Sequence, residues 1–178
     1  MIVCIFDTET TGLIENHMRK LDQQPEVIEF AGVLADWDLL NVKEQYESFV
    51  RPSQALPDKT REVTHLSDDD LKSAPVFRDI ADRVQGLIAG ADIVCGHNLS
   101  YDMEIIDLEF ERLGRTFVWP TTRICTVEQT IHISGNRIKL SDLYRMLTGQ
   151  EHRDAHRAMP DVLATLVCLK GIRDKGWL

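Results

Sequence analysis

The hydrophobic pattern changes character along the chain. Ile2–Phe6 is an unbroken apolar run stopped by Asp7, as expected of a central strand. Glu26–Ala35 is rich in Val, Ile, Phe and Leu, and Gln45–Val50 follows with strand-like character. The three read as consecutive strands with antiparallel pairing. From Ser67 the spacing turns helical. Ser67 precedes Asp68, Asp69 and Asp70, so it caps a helix whose positive end meets the acids. Val76, Ile80, Val84, Leu87 and Ile88 keep helical spacing up to a stop at Gly90. Asp92–Cys95 reads as a buried strand. It leads through Gly96-His97-Asn98 into a helix with the stripe Met103, Ile106, Phe110 and Leu113, closed by Gly114. A short strand at Thr122–Cys125, a helix around Leu140–Leu147 stopped by Gly149, and a last helix carrying Val162, Leu163, Leu166, Val167 and Leu169 complete the pattern. Strands first, then strands alternating with helices, predict an α/β domain with a mixed sheet covered by helices.

Composition narrows the class. At 178 residues and 43% apolar content the chain can bury a core without disulfides or a structural metal. No repeat, low-complexity tract or linker divides it, so residues 1–178 read as one domain. The longest apolar run, Met1–Phe6, is too short to span a bilayer, and no basic region precedes it, so neither a membrane segment nor a secretory signal is expected. Cys4, Cys95, Cys125 and Cys168 are scattered without a Cys-x-x-Cys pair, and Cys4, Cys95 and Cys168 lie in apolar segments, which points to buried reduced thiols in a cytoplasmic protein. The net charge of −9 argues against a broad basic face gripping duplex nucleic acid. It leaves open an acidic metabolic enzyme and a nuclease whose bound cations neutralise a few phosphates.

The candidate chemistry is carboxylate chemistry. Asp7 and Glu9 are two apart at a strand end, so both side chains leave the same face. Such a pair is either a solvated strand end or a site for a hard cation such as Mg²⁺ or Mn²⁺. Asp102 falls in the first turn of the helix after the Asp92–Cys95 strand, where α/β proteins place ligands and where the helix dipole alone would also favour an acid. His156 and Asp161 are five apart, a spacing that diverges on one continuous helix. Pro160 is tolerated only in a first helical turn, so the helix is expected to start near Met159 or Pro160, with His156 on the preceding loop. There is no phosphate loop, His-Glu-x-x-His or nucleophile elbow.

The runs FDTETTGL (Phe6 to Leu13), GHNLSYD (Gly96 to Asp102) and HRAMPD (His156 to Asp161), in that order, resemble the DEDDh, or DnaQ-like, 3′–5′ exonucleases. That family includes the proofreading subunit of bacterial DNA polymerase III and ribonuclease T. PEVIEFAGV from Pro25, THLSDDDLKSAP from Thr64 and IAGADIVCGHN from Ile88 extend the likeness over nearly the whole chain. The resemblance implies an RNase H-like, five-stranded mixed sheet and a site made of Asp7, Glu9, Asp102, Asp161 and His156. It also implies two divalent cations, Mg²⁺ or Mn²⁺, with Asp7, Glu9 and Asp161 on the one that activates water. Asp7 would bridge to the second cation, Asp102 would hold that one mostly through water, and His156 would act as the base. The backbone near Thr10 with Leu13, His65 and Asn98 would hold the terminal nucleotide. Three departures stand out: Leu66 where the family usually has glycine, Pro160 where it has an ordinary helix former, and an end soon after the last helix, where the proofreading subunit has a polymerase-binding tail.

The expected activity is removal of nucleoside 5′-monophosphates from single-stranded or frayed DNA 3′ ends, with a polymerase partner left open. Two other readings remain. One is an exoribonuclease of the ribonuclease T or oligoribonuclease kind, and the other is a non-catalytic nucleic-acid or partner-binding module on the same fold.

Overall fold

β1 runs from Ile2 to Thr10, past the apolar run and through Asp7 and Glu9. The polar end stays extended because it continues to pair with β2 (Val27–Asp36), from Ile2 opposite Asp36 to Glu9 opposite Glu29, with an irregularity before Thr10. The computed structural model describes every residue of the chain except residues 15 and 154. β3 spans Val42–Phe49 rather than Gln45–Val50, and it pairs antiparallel with β2 as an edge strand with alternating exposure. β4 (Ile93–Gly96) lies parallel to β1, and β5 (Thr122–Cys125) parallel to β4. The five-stranded order is β3-β2-β1-β4-β5. This is the mixed, RNase H-like sheet that the sequence predicts, with β1 at its centre.

Alternation along β1 assigns its faces. Cys4 and Phe6 enter a core with Phe30, Val84, Leu87, Ile106 and Phe110, under α3 (Phe77–Ala89) and α4 (Leu99–Arg112). Val3 and Ile5 enter the opposite core with Ala31, Val33, Ile93, Val162 and Leu169, under α7 (Ala158–Asp174). Period two then sends Asp7 and Glu9 to the α7 face and Thr8 to the α4 face. Cys4, Cys95 and Cys168 are free and buried, as their apolar segments predict, and so is Cys125.

The helical stretch opening at Ser67 is two helices, not one. α2 (Asp68–Leu71) starts on a capping box in which Ser67 Oγ accepts from the Asp70 N–H and the Asp70 carboxylate accepts from the Ser67 N–H. Pro75 then intervenes, because its ring cannot follow Leu71 in a continuous helix. α3 restarts beyond it, with the Asp79 carboxylate accepting from the Val76 N–H. Two helices have no apolar stripe in the sequence: α1 (Asp58–Thr64), which buries only Thr60 and Thr64, and α5 (Thr126–Ser134), which is rich in β-branched residues. α6 (Leu140–Thr148) ends at Gly149 in the left-handed region, φ 72°. It packs closely on α7, where a Cβ at Gly171 would stand 3.2 Å from the Leu147 side chain.

Candidate active site

Three elements converge at the polar end of β1. β1 brings Asp7 and Glu9, α4 brings Asp102 in its first turn, and α7 brings Asp161 in its first turn. α7 begins at Ala158, one residue earlier than expected, with Pro160 inside its first turn, where the missing N–H costs nothing. Arg157 is extended and His156 is left-handed, φ 66°, so His156 sits off the helix as predicted. Glu9, His156 and Asp161 offer ligand atoms that all lie within 4.8 Å of one another.

Each acid is held by neighbours from other elements. Asp102, buried, accepts at Oδ1 from the Thr8 N–H at 3.0 Å and the Thr8 hydroxyl at 2.7 Å. Asp161 Oδ2 accepts from the His156 N–H at 3.1 Å, and its Oδ1 lies 2.5 Å from His152 Nε2. Glu29 faces Glu9 across the β1–β2 ladder, a like-charge pair that would destabilise the sheet unanswered. Arg157 answers it, donating to the Glu29 carboxylate at 3.0–3.3 Å while lying over the Phe49 ring.

Burial and mutual repulsion outweigh Arg157 in the electrostatics of the cluster. Burial raises the Asp7 carboxyl well above its ordinary range, and Asp102, Asp161, Glu9 and Glu29 push it further. Glu9 rises to about 8, from burial first and then from Asp161, Glu29 and Asp102, with Arg157 drawing it down. Asp102 rises to about 7 through burial, although its hydrogen bonds to Thr8 pull the other way. Carboxylate oxygens with one imidazole, gathered where like charges oppose ionisation, are a donor set suited to a hard divalent cation. The residues present fit such an ion.

A cavity of about 790 Å³ opens beside this cluster, within the ~300–1,000 Å³ range of small-ligand sites. Thr8, Glu9 and His156 meet it at the acidic end, Thr10 and Leu13 form its near wall, and Thr60 and Thr64 of α1 line the far side. The chain matches the family model described as Exonuclease (RNase T) over residues 4–169. It belongs to this exonuclease family.

The exonuclease is 32% identical to the PolC-type DNA polymerase III of Staphylococcus haemolyticus over 166 residues, 90% of this chain and 10% of that protein. It thus spans about a tenth of the length of these polymerases. E. coli exonuclease I, in a zinc-bound complex with single-stranded DNA, superposes with a TM-score of 0.80 at 19% identity, over 98% of this chain and 41% of that one. The nuclease domain of 3′hExo, described as a DEDDh family member bound to rAMP, gives 0.79 at 17% identity, over 98% and 92%. The exonuclease is a phosphodiester hydrolase of the DEDDh group, whose members use divalent metal ions. Among its described residues no helix is long and apolar enough to cross a membrane.

Not every residue singled out in the exonuclease sequence joins the cavity. Glu9, His156, Thr10 and Leu13 line it, whereas Asp7, Asp102, Asp161, His65 and Asn98 do not. His65 caps the end of α1 in the left-handed region, φ 58°, and is exposed. Leu66, the departure beside it, packs with Ile28, Leu56 and Leu71 in a small core that a glycine would leave open. Asn98, left-handed at φ 67°, accepts from Arg137. The segment carrying Arg137 is tied to β4 by His97, whose Nε2 donates to the Ile138 carbonyl at 3.1 Å and whose burial lowers its pKa to about 4. Two side chains of the site escape sequence reasoning. Tyr101 shares a 2.7 Å hydrogen bond with Thr10 Oγ1 and donates to the Gly12 carbonyl at 2.7 Å, fixing the near wall of the cavity. His152 reaches Asp161, and its only sequence signal is that it is a second histidine in the same loop.

Proposed function

We propose that this exonuclease removes nucleotides one at a time from single-stranded or frayed DNA 3′ ends. Two divalent cations, Mg²⁺ or Mn²⁺, would be held by Asp7, Glu9, Asp102 and Asp161, and nucleoside 5′-monophosphates released. One observation carries the reading: an exposed imidazole, His156, stands with Glu9 and Asp161 inside one 4.8 Å cluster at the mouth of a nucleotide-sized cavity. Cations bound among the four acids would supply Lewis-acid polarisation of the phosphodiester and acidify the attacking water. The chain's own groups do the remaining work. Asp7, Glu9 and Asp161 would hold the cations from the α7 face and Asp102 from the α4 face. His156 takes the proton from the attacking water at its ring nitrogen and, being exposed, passes it to solvent. Leu13, 68% exposed, offers an apolar face to the terminal base.

DNA as the substrate, and a polymerase as the partner, are supported by the kinship with PolC-type polymerases. Single strands rather than duplex are supported by the net charge of −9, which stays acidic when the four site acids are set aside. The test is one digestion of 5′-labelled single-stranded DNA, RNA and 3′-mismatched duplex, with and without EDTA. Shortening from the 3′ end, faster on DNA and abolished by chelation, is expected. Faster RNA turnover would move the protein to the RNA-directed reading, and undiminished activity in excess chelator would overturn the metal site.

A further inference from the structure

Asp161 is gripped at both oxygens from the segment between α6 and α7. Its Oδ2 accepts the backbone N–H of His156, and its Oδ1 lies 2.5 Å from Nε2 of His152. A carboxylate that ligates a cation only accepts, so in the loaded site the proton of that second contact would be on Nε2. The His152 side chain is 6% exposed and the Asp161 side chain 12%. The imidazole also packs on Tyr144 of α6, with ring centroids 5.7 Å apart. The two histidines flanking Asp161 are therefore placed for different work. His156 is exposed and lines the cavity; His152 is buried behind the carboxylate and does not line it. A side chain so little exposed, with its Nε2 against Asp161, is not placed to take a proton from the attacking water.

The geometry points to His152 as a positioning residue. Its Nε2–H fixes the plane and the free lone pairs of Asp161, so that the carboxylate meets a cation in common with Glu9 without first having to be ordered. This rests on the metal reading above. Partners of this kind, hydrogen-bonded to a ligating carboxylate, change metal affinity ~10–100-fold when removed. The rival account is that His152 merely fills the space between Tyr144 and α7.

Two substitutions separate donation from packing. His152→Phe keeps a ring against Tyr144 and loses the donor; His152→Gln loses the ring and keeps an N–H. Mn²⁺ binding to each variant of the 178-residue chain is measured by calorimetry, thermal unfolding is followed without metal, and turnover is titrated against Mn²⁺. His152→Phe should bind Mn²⁺ ~10–100-fold more weakly and recover turnover as the metal is raised to saturation. His152→Gln should bind Mn²⁺ close to the unsubstituted protein while melting earlier. Unchanged affinity in His152→Phe overturns the proposal, and so does a matching loss in His152→Gln, which still decides the matter if the phenylalanine variant does not fold. Failure of the unsubstituted protein to bind Mn²⁺ would overturn the metal reading itself, along with the role given to His152.

Discussion

Thr8 donates twice to a single oxygen of Asp102, through its backbone N–H at 3.0 Å and its hydroxyl at 2.7 Å. The pair joins the central strand to α4 across 94 residues and holds one acid of the site while its charge is opposed by burial. Thr8→Val keeps the shape and the N–H but loses the hydroxyl. That should cost about 1–3 kcal/mol, the range for a hydrogen bond to a charged or buried group. Because the hydroxyl holds the Asp102 pKa down, the carboxyl should rise further above about 7. Mn²⁺ binding by the variant should be weakened at pH 7 and regain ground at pH 8.5. Calorimetry at the two pH values checks this, and a pH dependence equal to that of the unsubstituted protein would contradict it.

The metal-free protein should pay for its cluster as pH rises. Glu9 titrates at about 8 when folded, against ~4.3 in an unfolded chain, so the folded state holds more protons across that window. Stability from this group is therefore greatest below the unfolded value and declines as pH climbs through about 8. Glu9→Gln removes the effect, so its stability advantage over the unsubstituted protein should widen from pH 5 to pH 8.5 in EDTA. Denaturant titrations at both pH values measure it. Adding Mn²⁺ at 100 times its dissociation constant should return ~2.7 kcal/mol to the unsubstituted protein.

His156→Ala should lower turnover by ~10²–10⁴-fold, the usual cost of losing a general base. Metal binding should survive, since Glu9, Asp161, Asp7 and Asp102 remain. Because the imidazole lies within the same 4.8 Å cluster as two of those acids, calorimetry with Mn²⁺ is the discriminating measurement. A loss of affinity as large as that of Asp161→Ala would make His156 a ligand.

Tyr101→Phe should raise KM for an oligonucleotide several-fold while leaving kcat near its original value. The hydroxyl fixes the Thr10–Gly12 turn and touches none of the clustered acids by hydrogen bond, so its loss loosens the nucleotide wall rather than the chemistry. Steady-state kinetics on a short single strand checks the split; a fall confined to kcat would place Tyr101 in the reaction.

How much of this was legible in the sequence depends on range. Asp7 and Glu9 were readable as same-face neighbours because strand periodicity needs only two residues of context. The loop placement of His156 followed from Pro160, a local constraint. The tertiary partners carried no such signal. Glu29 faces Glu9 only through the ladder register, and Arg157, which answers Glu29, lies 128 residues away from it. α5 was missed because Thr126, Val127, Thr130, Ile131 and Ile133 favour strands; its buried threonines instead turn inward, Thr130 Oγ1 donating to the Thr126 carbonyl at 2.7 Å. The break between α2 and α3 was overlooked because the Ser67 cap and the stripe from Val76 both read as helix, with Pro75 between them.

β1 is paired on both edges, to β2 and to β4, while His152 and His156 belong to the connection between α6 and α7. Amide exchange should register the double pairing, with β1 among the last segments to open. Asp7 and Glu9 are thus bolted to the part of the molecule least able to yield. Their repulsion cannot be relieved by drifting apart, only by capturing protons or an ion. Ion capture should then displace protons while barely altering the scaffold, and the released protons, counted by calorimetry in buffers of different ionisation enthalpy, would report the loading of the site.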